Sequence, residues 1–447
     1  MTLLLPALLA FAISADGDAQ PRADTEPAGW LSTPQARGWA VLELGSALSM
    51  PRGRGAALPR SPRERPTPAT IAATVPIEPA TSPQDRELRP VSAATAGHPA
   101  AVSLLVGGDL AVAMRALIAT DLAYLPELLL DDRGSFVIRG SGSINGDRAS
   151  IELAICDVER PATGRIVRRH DGPAAELATA VHGFVDDAVE ALTGRRSAFA
   201  SRLVFARRSG PGRKSVWLMD ADGGNLRMVS AADGLAILPT FGDGDVWYTV
   251  LSRTGSYITR LAAEGRPIVG GPGTHAGAAV CGGRLLFSAA RDGNTDIYSV
   301  ALDGSDERRL TTHRGIDVSP ACGPDGRVAF VSDRSGQPQI WVMSADGAGQ
   351  RWLVRRPYAA QTPNWCDGLL AFTAVGGGAP TRVVVADLER GTTTRVSPAG
   401  VNEHPSFSPD CRMLAWASPQ GIVVARVDGR LRRLIAAGRA ESVRWER

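Results

Sequence analysis

The sequence of 447 residues lacks the short motifs that mark common classes of enzyme. It has no G-x-S-x-G segment, which would expose a serine nucleophile on a strained turn. It also has no H-E-x-x-H zinc motif, no phosphate-binding G-x-x-x-x-G-K and no intact G-x-G-x-x-G. The acid pairs Asp131–Asp132 and Asp186–Asp187 are interpreted as solvated residues rather than as a catalytic pair. We therefore predict that the chain is not an enzyme and binds no cofactor.

An excess of charge of one sign and long apolar runs are also missing. The net charge is +3, and the basic residues are scattered, which disfavours nucleic-acid binding. No stretch after the N-terminus reaches about 18 uninterrupted apolar residues, roughly the length that spans a membrane. We predict a monomer with neither a nucleic-acid partner nor a transmembrane span.

Cysteine is scarce, and its positions leave the disulfide pattern open. The five residues are Cys156, Cys281, Cys322, Cys366 and Cys411. No C-x-x-C pair occurs, which disfavours zinc or thioredoxin-like chemistry, and no metal site is predicted. An exported protein permits disulfides, but the strand positions of these residues differ by a residue or more. The partners therefore cannot be assigned, and buried free thiols are an equal alternative.

The N-terminal region predicts export followed by a flexible arm. Residues 1–15 contain an apolar run with small residues at Ala12–Ala15, as in a secretory signal, although no Lys or Arg precedes the run. Residues 16–98 are rich in Pro, Ala, Arg and Thr and lack periodicity. Such a segment buries too little apolar surface to offset its ordering entropy, so we predict a disordered linker.

The rest of the chain is dominated by a repeat of about 40 residues. An apolar strand that runs into an Asp-Gly-like turn recurs in steps of 39 to 43 residues. Its aligned positions are Trp217, Ile258, Tyr298, Trp341, Val384 and Val423. A second strand keeps the same period along Phe205, Tyr248, Phe287, Phe330, Phe372 and Trp416. Several short strands at this period are typical of a propeller blade, so residues 198–447 are predicted to form a six-bladed β-propeller.

Two further features belong to the predicted propeller. They are the packing of the aromatic residues on these strands and the closure of the ring by the last residues of the chain. We interpret Trp217, Tyr298 and Trp341 as core between blades, since one blade cannot bury its apolar face alone. The first unit lacks an inner strand, and Ser442–Trp445 resembles the missing one. We expect these residues to complete the first blade and close the ring.

A small α/β domain is predicted over residues 99–197. Strands are expected at 102–106, 136–140, 149–157 and 164–168, and a first helix at 110–122. A second helix is expected to start near Asp171 and to end at Gly194. Its polar face carries His182, Asp186, Asp187 and Glu190, interpreted as a solvated or interdomain face because their spacing matches no metal-ligand motif. The predicted fold is mainly β: a six-bladed propeller preceded by this domain and by a disordered N-terminal arm.

The residues that join the two domains carry a family resemblance. The run AVHGFVDDAVEALTG (180–194), followed by FASRLVF (199–205), resembles the junction of the TolB family. The segments PSFSPD (405–410), CGPDG (322–326) and SDRSG (332–336) resemble the turns of its repeats. This resemblance implies a periplasmic, non-enzymatic scaffold of the Tol–Pal system that supports envelope integrity and cell division. It implies binding of the peptidoglycan-associated lipoprotein Pal at the propeller mouth, and of the inner-membrane protein TolA.

If the propeller binds a partner, the loops before the inner strands are the expected surface, because they combine charged, aromatic and amide groups. The candidate partner-binding residues are His313, Asp317, Tyr358, Gln361, Asn402 and Glu403. Two alternatives remain open at this point. One is an exported propeller that binds a glycan or peptidoglycan fragment, and the other is an accessory propeller of a peptidase-like system.

Overall fold

The computed structural model describes residues 99–159, 166–231, 234–253, 255–376 and 378–446, which belong to one compact unit. The predicted signal peptide (1–15) and linker (16–98) lie outside the described residues. The fold is mainly β, as predicted, with a mixed α/β part followed by the sheets of a propeller.

The first part, which we call the N-terminal module, is a mixed sheet with two helices. Its strands are β1 Ala100–Gly108, β2 Leu128–Leu130, β3 Phe136–Asn145, β4 Arg148–Asp157 and β5 Ile166–Pro173. They lie in the order β2-β1-β3-β4-β5, with β1 parallel to β2 and β3. The helices are α1 Ala111–Ala123 and α2 Leu177–Thr193, and their apolar residues share one core with the sheet.

The second helix confirms the predicted end but not the predicted start. Gly194 ends α2 with a φ of 71°, a left-handed conformation that glycine adopts without a steric cost. Asp171 does not start the helix, because it pairs with Ser150 in the ladder between β4 and β5. Sheet pairing extends β5 to Pro173, and a short 3-10 turn, Ala174–Glu176, leads into the helix.

The remaining strands form five sheets among the described residues. Four sheets have four antiparallel strands each. They are β12 Thr274–Cys281, β13 Arg284–Arg291, β14 Asn294–Ala301 and β15 Arg308–Arg309; β16 Asp317–Cys322, β17 Val328–Ser332, β18 Gln339–Met343 and β19 Arg351–Val354; β20 Ala359–Cys366, β21 Leu369–Gly376, β22 Ala379–Asp387 and β23 Thr392–Arg395; and β24 Glu403–Phe407, β25 Met413–Ser418, β26 Gly421–Arg426 and β27 Arg433–Ala437.

The fifth sheet has seven strands and contains two repeat units. Its strands are β6 Arg202–Gly210, β7 Arg213–Asp220, β8 Arg227–Met228, β9 Leu235–Gly242, β10 Asp245–Ser252, β11 Gly255–Arg260 and β28 Ala440–Trp445. A single parallel pair, Lys214 with Leu235, joins the two units. Because this pair merges two units, the count of six blades stays a prediction.

The innermost strands form a closed ring. They are β9, β12, β16, β20, β24 and β28, and each contacts the next around the circle. As predicted, the last strand completes the first unit, since β28 pairs antiparallel with β6. Val443 and Trp445 are buried there, and ion pairs join Lys214 to Glu441 and Arg202 to Glu446.

The core lies between neighbouring sheets. The second-strand positions of the repeat, Phe205, Tyr248, Phe287, Phe330, Phe372 and Trp416, are all buried, which confirms them as core. Of the three aromatic residues predicted as core on the third strands, Tyr298 is buried, whereas Trp217 and Trp341 are only half-buried. The prediction is therefore confirmed for Tyr298 alone.

Two disulfides join neighbouring inner strands. Cys281 at the end of β12 bonds to Cys322 at the end of β16, and Cys366 at the end of β20 bonds to Cys411 just after β24. Cys156 is a buried free thiol. The structure thus supplies the pairing that the sequence left open.

Candidate functional site

The sheets have two ends with different surroundings. At one end lie the turns between first and second strands and between third and fourth strands. There Asp222 contacts His182, and Arg412 pairs with Glu127 at 2.6 Å, so this end carries the N-terminal module. We call it the module face. The turns between second and third strands and the connections between sheets lie at the opposite end, because strands alternate in direction. We call that end the connection face.

Two residues of the polar face of α2, His182 and Asp186, belong to the contact between the module and the propeller. His182 and Asp186 are each only 2% exposed, so the solvated alternative is wrong for both residues. Asp186 accepts hydrogen bonds from the Ser197 hydroxyl (2.7 Å) and from the backbone N–H groups of Phe199 (2.9 Å) and Ala200 (3.0 Å). These bonds fix the chain where it enters β6. The interdomain alternative is confirmed for His182 and Asp186, whereas Asp187 pairs with Arg168 and Arg196 and Glu190 is exposed.

Two of the predicted binding residues, His313 and Tyr358, lie in the connections of the connection face. His313 is exposed, and its Nδ1 accepts the backbone N–H of Gly315 at 2.9 Å. Tyr358 is half-buried, and the guanidinium carbon of Arg382 lies 4.7 Å from the centroid of its ring. Both side chains have surface that a partner can contact.

Asp317 and Asn402, in contrast, are buried and hold the structure together. The Asp317 carboxylate is fully buried and accepts a hydrogen bond from Arg334 Nη2 at 2.7 Å. Asn402 is 2% exposed, and its Oδ1 accepts a hydrogen bond from the indole N–H of Trp416 at 2.9 Å. Asn402 lies in the loop before β24, as expected, whereas Asp317 is the first residue of β16. Neither side chain belongs to an accessible loop surface, because each turns inward and accepts a hydrogen bond from Arg334 or Trp416.

Gln361 and Glu403 line a narrow cavity at the centre of the ring. The cavity has a volume of about 70 Å³, room for a few water molecules rather than for a folded segment. Glu403 accepts a hydrogen bond from the Thr381 hydroxyl at 2.9 Å. Burial raises the pKa of Glu403, and the neighbouring charge of Glu441 adds to the effect. Next to it, burial lowers the pKa of His404 to about 3, so His404 is neutral at physiological pH.

A concave surface of this face is a groove on the sheet β16–β19. The groove has a volume of about 800 Å³, and we call it the Arg–Trp groove. It is lined by His313, Arg334, Ser335, Gln337, Gln339, Trp341, Trp352, Arg355, Arg356 and Pro357. The rings of Trp341 and Trp352 lie 5.2 Å apart between centroids. Of the predicted binding residues, only His313 lines it.

Arginine side chains cover both indoles of the groove. The guanidinium carbon of Arg334 lies 4.7 Å from the centroid of Trp341, and that of Arg355 lies 4.4 Å from the centroid of Trp352. Such contacts hold planar cations against aromatic rings through the charge distribution of the ring. The amide of Gln339 donates to the carbonyls of Arg356 (3.2 Å) and Tyr358 (3.0 Å), which fixes the connection that carries Arg355.

Sequence reasoning missed this groove because its residues come from three separate segments. The repeat pattern predicts Trp341 to be core, and Arg334 belongs to the SDRSG turn, which has an ordinary polar composition. The one local signal is the spacing of Trp352 and Arg355, which places a cation beside an exposed aromatic residue just after an outer strand.

Among the described residues, no group of three or more His, Cys, Asp or Glu side chains is arranged to hold a metal ion. In the same residues, no helix is both long and apolar enough to cross a membrane.

The sequence is similar to those of known proteins. The family profile described as the TolB beta propeller domain matches residues 189–446, more than half of the chain. The Protein TolB homolog of Chlorobium chlorochromatii (strain CaD3) is 32% identical over 207 residues, 44% of this chain and 46% of the relative. The Tol-Pal system protein TolB of Desulfosudis oleivorans (strain DSM 6200 / JCM 39069 / Hxd3) is 31% identical over 193 residues, 41% of this chain and 43% of the relative. The chain spans about half the length of the curated relatives it matches.

The fold is also similar to that of a crystal structure. TolB from Acinetobacter baumannii superposes with a TM-score of 0.65 at 20% sequence identity. The match covers 78% of this chain and 96% of that chain. At this identity the likeness concerns the fold.

Proposed function

The chain belongs to the TolB β-propeller family, and from this premise we propose that it is a protein-binding scaffold of the Tol–Pal type without catalytic activity. It acts in the periplasm and binds a Pal-like, peptidoglycan-associated lipoprotein at the connection face. Through this contact, and through a TolA-like inner-membrane protein, it supports envelope integrity and cell division. The observation that carries the proposal is the family match, which begins within α2 and continues through the last inner strand.

The proposal includes the domain organisation. A signal peptide (1–15) directs export, and a linker (16–98) precedes the α/β domain (99–197) and the six-bladed propeller (198–447). The name of the Desulfosudis relative, a Tol-Pal system protein, supports the periplasmic assignment.

The contacts of the two faces favour the connection face as the partner site. The module occupies the module face through a buried histidine and ion pairs. The connection face carries exposed His313, half-buried Tyr358 and the Arg–Trp groove, a mixture of polar and aromatic groups that suits protein recognition.

Affinity capture from envelope extract tests the proposed function. The full chain is the bait, and we expect one lipoprotein to be retained in stoichiometric amount. A bait with His313→Ala and Tyr358→Ala should retain less, because both changes remove contact surface from the connection face. Arg430→Ala is the matched control, since Arg430 is exposed on a turn of the module face.

Two results contradict the proposal. One is retention of cell-wall glycan without any lipoprotein, which supports the glycan-binding alternative. The other is equal capture of the lipoprotein by the wild-type and connection-face baits together with reduced capture by the Arg430→Ala bait.

A further inference from the structure

We propose that the Arg–Trp groove binds an acidic, extended segment of a protein partner, whose carboxylates pair with Arg355 and Arg356 while its apolar atoms contact Trp352. The inference rests on the proposed function, because it names the part of the connection face that recognises the partner and the chemistry of the segment that is recognised.

The neighbouring sheet shows how the charge of this groove differs from that of an equivalent surface. In the sheet β12–β15, Arg291 lies over the ring of Tyr298 and pairs with Glu307. Arg309 pairs with Asp296 in the same sheet, so these two arginines are balanced by two acids.

The sheet β16–β19 keeps the stacked arginine but replaces both acids. An offset of 43 residues aligns the two sheets and places Arg334 at the position of Arg291 and Trp341 at that of Tyr298. The positions of the two acids, Asp296 and Glu307, are taken by Gln339 and Gln350. Trp352 takes the position of Arg309. The amide of Gln350 has taken over the contact with the stacked arginine, since its Oε1 accepts a hydrogen bond from Arg334 Nη1 at 2.8 Å.

The groove therefore carries positive charge that its own residues do not balance. Arg334 is neutralised by the buried Asp317. Arg355 and Arg356 stand where the preceding unit has Thr312 and His313, and neither forms an ion pair with any described residue. None of the lining residues is an Asp or a Glu. Two cations without acids favour an anionic ligand.

The side chains that line the groove include several hydrogen-bond donors, which favours a ligand that accepts hydrogen bonds. The indole N–H of Trp341 and the Nε–H of Arg356 are buried and have no partner among the described residues. Both are donors, and a buried donor without a partner costs about 1–3 kcal/mol. Carboxylate oxygens accept hydrogen bonds, and arginine binds them in a two-pronged geometry.

The same geometry favours a peptide over a sugar. Sugar rings bind by stacking on open aromatic faces, but here guanidinium groups cover Trp341 and Trp352. What remains open is the 39% exposed part of Trp352, which suits contact with an aliphatic side chain next to a carboxylate. A strand-like segment presents such side chains in alternation.

Fluorescence anisotropy with the full chain tests the inference. The probe is a fluorescein-labelled acidic peptide of Glu, Leu and Ala, and its partner probe has Gln in place of every Glu. We expect the acidic probe to bind and the amide probe to bind at least about tenfold more weakly, because charge-assisted hydrogen bonds are lost. The affinity should fall as salt is added.

Variants locate the binding to the groove. Arg355→Glu and Arg355→Gln should weaken the acidic probe about tenfold or more, with the larger effect for the reversal of charge. Arg351→Glu is the matched control. Arg351 is exposed on β19 next to Trp352 and does not line the groove, so this substitution makes the same change of charge outside the groove. Unchanged melting curves show that all variants are folded.

The inference is overturned if both probes bind equally, or if Arg351→Glu weakens the acidic probe as much as Arg355→Glu does. It is also overturned if vesicles of phosphatidylglycerol or soluble peptidoglycan fragments bind through Arg355 while the acidic peptide does not.

Failure of this inference and failure of the proposed function give different results. If the captured lipoprotein binds the Arg355→Glu variant as well as the wild type, the inference fails and the proposed function stands. If the acidic probe needs Arg355 but no lipoprotein is captured, the groove is confirmed and the Tol–Pal assignment fails.

Discussion

His182 is a buried histidine held between two carboxylates from different parts of the fold. Its Nδ1 lies 2.6 Å from Asp121 Oδ2 on α1, and its Nε2 lies 3.2 Å from Asp222 Oδ2 on a propeller turn. Burial alone lowers the pKa of His182, but the hydrogen bonds and charges of the two acids outweigh burial and raise it to about 10. The histidine is therefore a cation at neutral pH and links the module to the propeller.

Replacement of this cation should lower stability and change its dependence on pH. We expect His182→Gln to cost about 3–5 kcal/mol at pH 7, because two acids lose their buried partner. A histidine whose pKa is raised on folding stabilises fully below pH about 6.5, and this contribution is lost as the pH rises through about 10. Burial raises the pKa of Asp121 to about 6, so the loss of stability that accompanies its deprotonation occurs mainly below the pH range in which His182 titrates.

Thermal melts between pH 7 and pH 10 check this prediction. The wild type should lose stability steadily across the range, whereas His182→Gln should show a flatter dependence. His313→Gln is the control, because His313 is exposed in a connection. A wild-type melting temperature that does not change with pH would contradict a charged His182.

The residues of the candidate site could be predicted only where local composition decides their surroundings. His313 and Tyr358 follow from a polar connection between repeats, and both have accessible surface. Asp317 and Asn402 have the same polar character, but their burial depends on Arg334 and Trp416, which lie elsewhere in the chain. No local pattern distinguishes an exposed loop acid from one that pairs with a buried arginine.

At the level of elements, each inner strand carries a β-bulge that no local sequence pattern predicts. The register shifts once in every inner strand, and one residue there takes a positive φ: Leu238, Gly277, Ser319, Thr362, His404 or Ser442. Only one of the six is glycine, the residue that favours this conformation. The ring imposes the bulge through pairing with the next strand, which is why local propensity does not reveal it.

Ser442 provides a test of the cost of this bulge. Its φ is 55°, it is 2% exposed, and its hydroxyl is buried without a hydrogen-bond partner. Ser442→Gly removes both costs, so we expect the protein to become about 1 kcal/mol more stable. Ser442→Ala removes only the hydroxyl and should give a smaller gain. Urea unfolding of the three proteins measures the difference, and a destabilised glycine variant would argue against the left-handed conformation.

The strand β28 closes the ring, so its removal should affect the whole propeller. Deletion of residues 440–447 exposes the core packed against Val443 and Trp445 and removes the partners of Lys214 and Arg202. We expect the melting temperature to fall by at least about 5 °C, since burial of each large apolar side chain contributes about 1.5–3 kcal/mol. Differential scanning calorimetry checks this. An unchanged transition would show that β28 does not hold the ring closed.

At the scale of the whole molecule, periodic features were predictable and joining features were not. The repeat of about 40 residues identified the propeller strands, because each unit buries the same positions. The two disulfides and the parallel pair of Lys214 with Leu235 join different units. Such contacts depend on where whole sheets meet, and residues far apart in the chain give no shared pattern that marks them.

The N-terminal module packs against both sides of the seam where the ring closes. Thr179 on α2 donates to Asp220 in the first unit at 3.0 Å, and Glu127 pairs with Arg412 in the last sheet at 2.6 Å. Residues of the module, of β6, of β25 and of β28 also share one apolar core. The module should therefore stabilise the closed ring. The two residues of its ion pair with the last sheet, Glu127 and Arg412, should show a coupling energy in the stability of the fold.

A double-mutant cycle tests this coupling. Arg412→Glu should lower stability, because the new acid faces Glu127 and Asp410, and Glu127→Arg in the same chain should restore part of the loss. We expect a coupling energy of about 1 kcal/mol, since the side chains of the pair are 15% and 26% exposed and only partly screened by water. Arg390 and Asp387 form the control pair: Arg390 is 82% exposed, so its coupling should be close to zero. If the two pairs have equal coupling energies, the ion pair of Glu127 with Arg412 does not stabilise the closed ring. The apolar core that the module shares with the propeller must then supply this stabilisation alone.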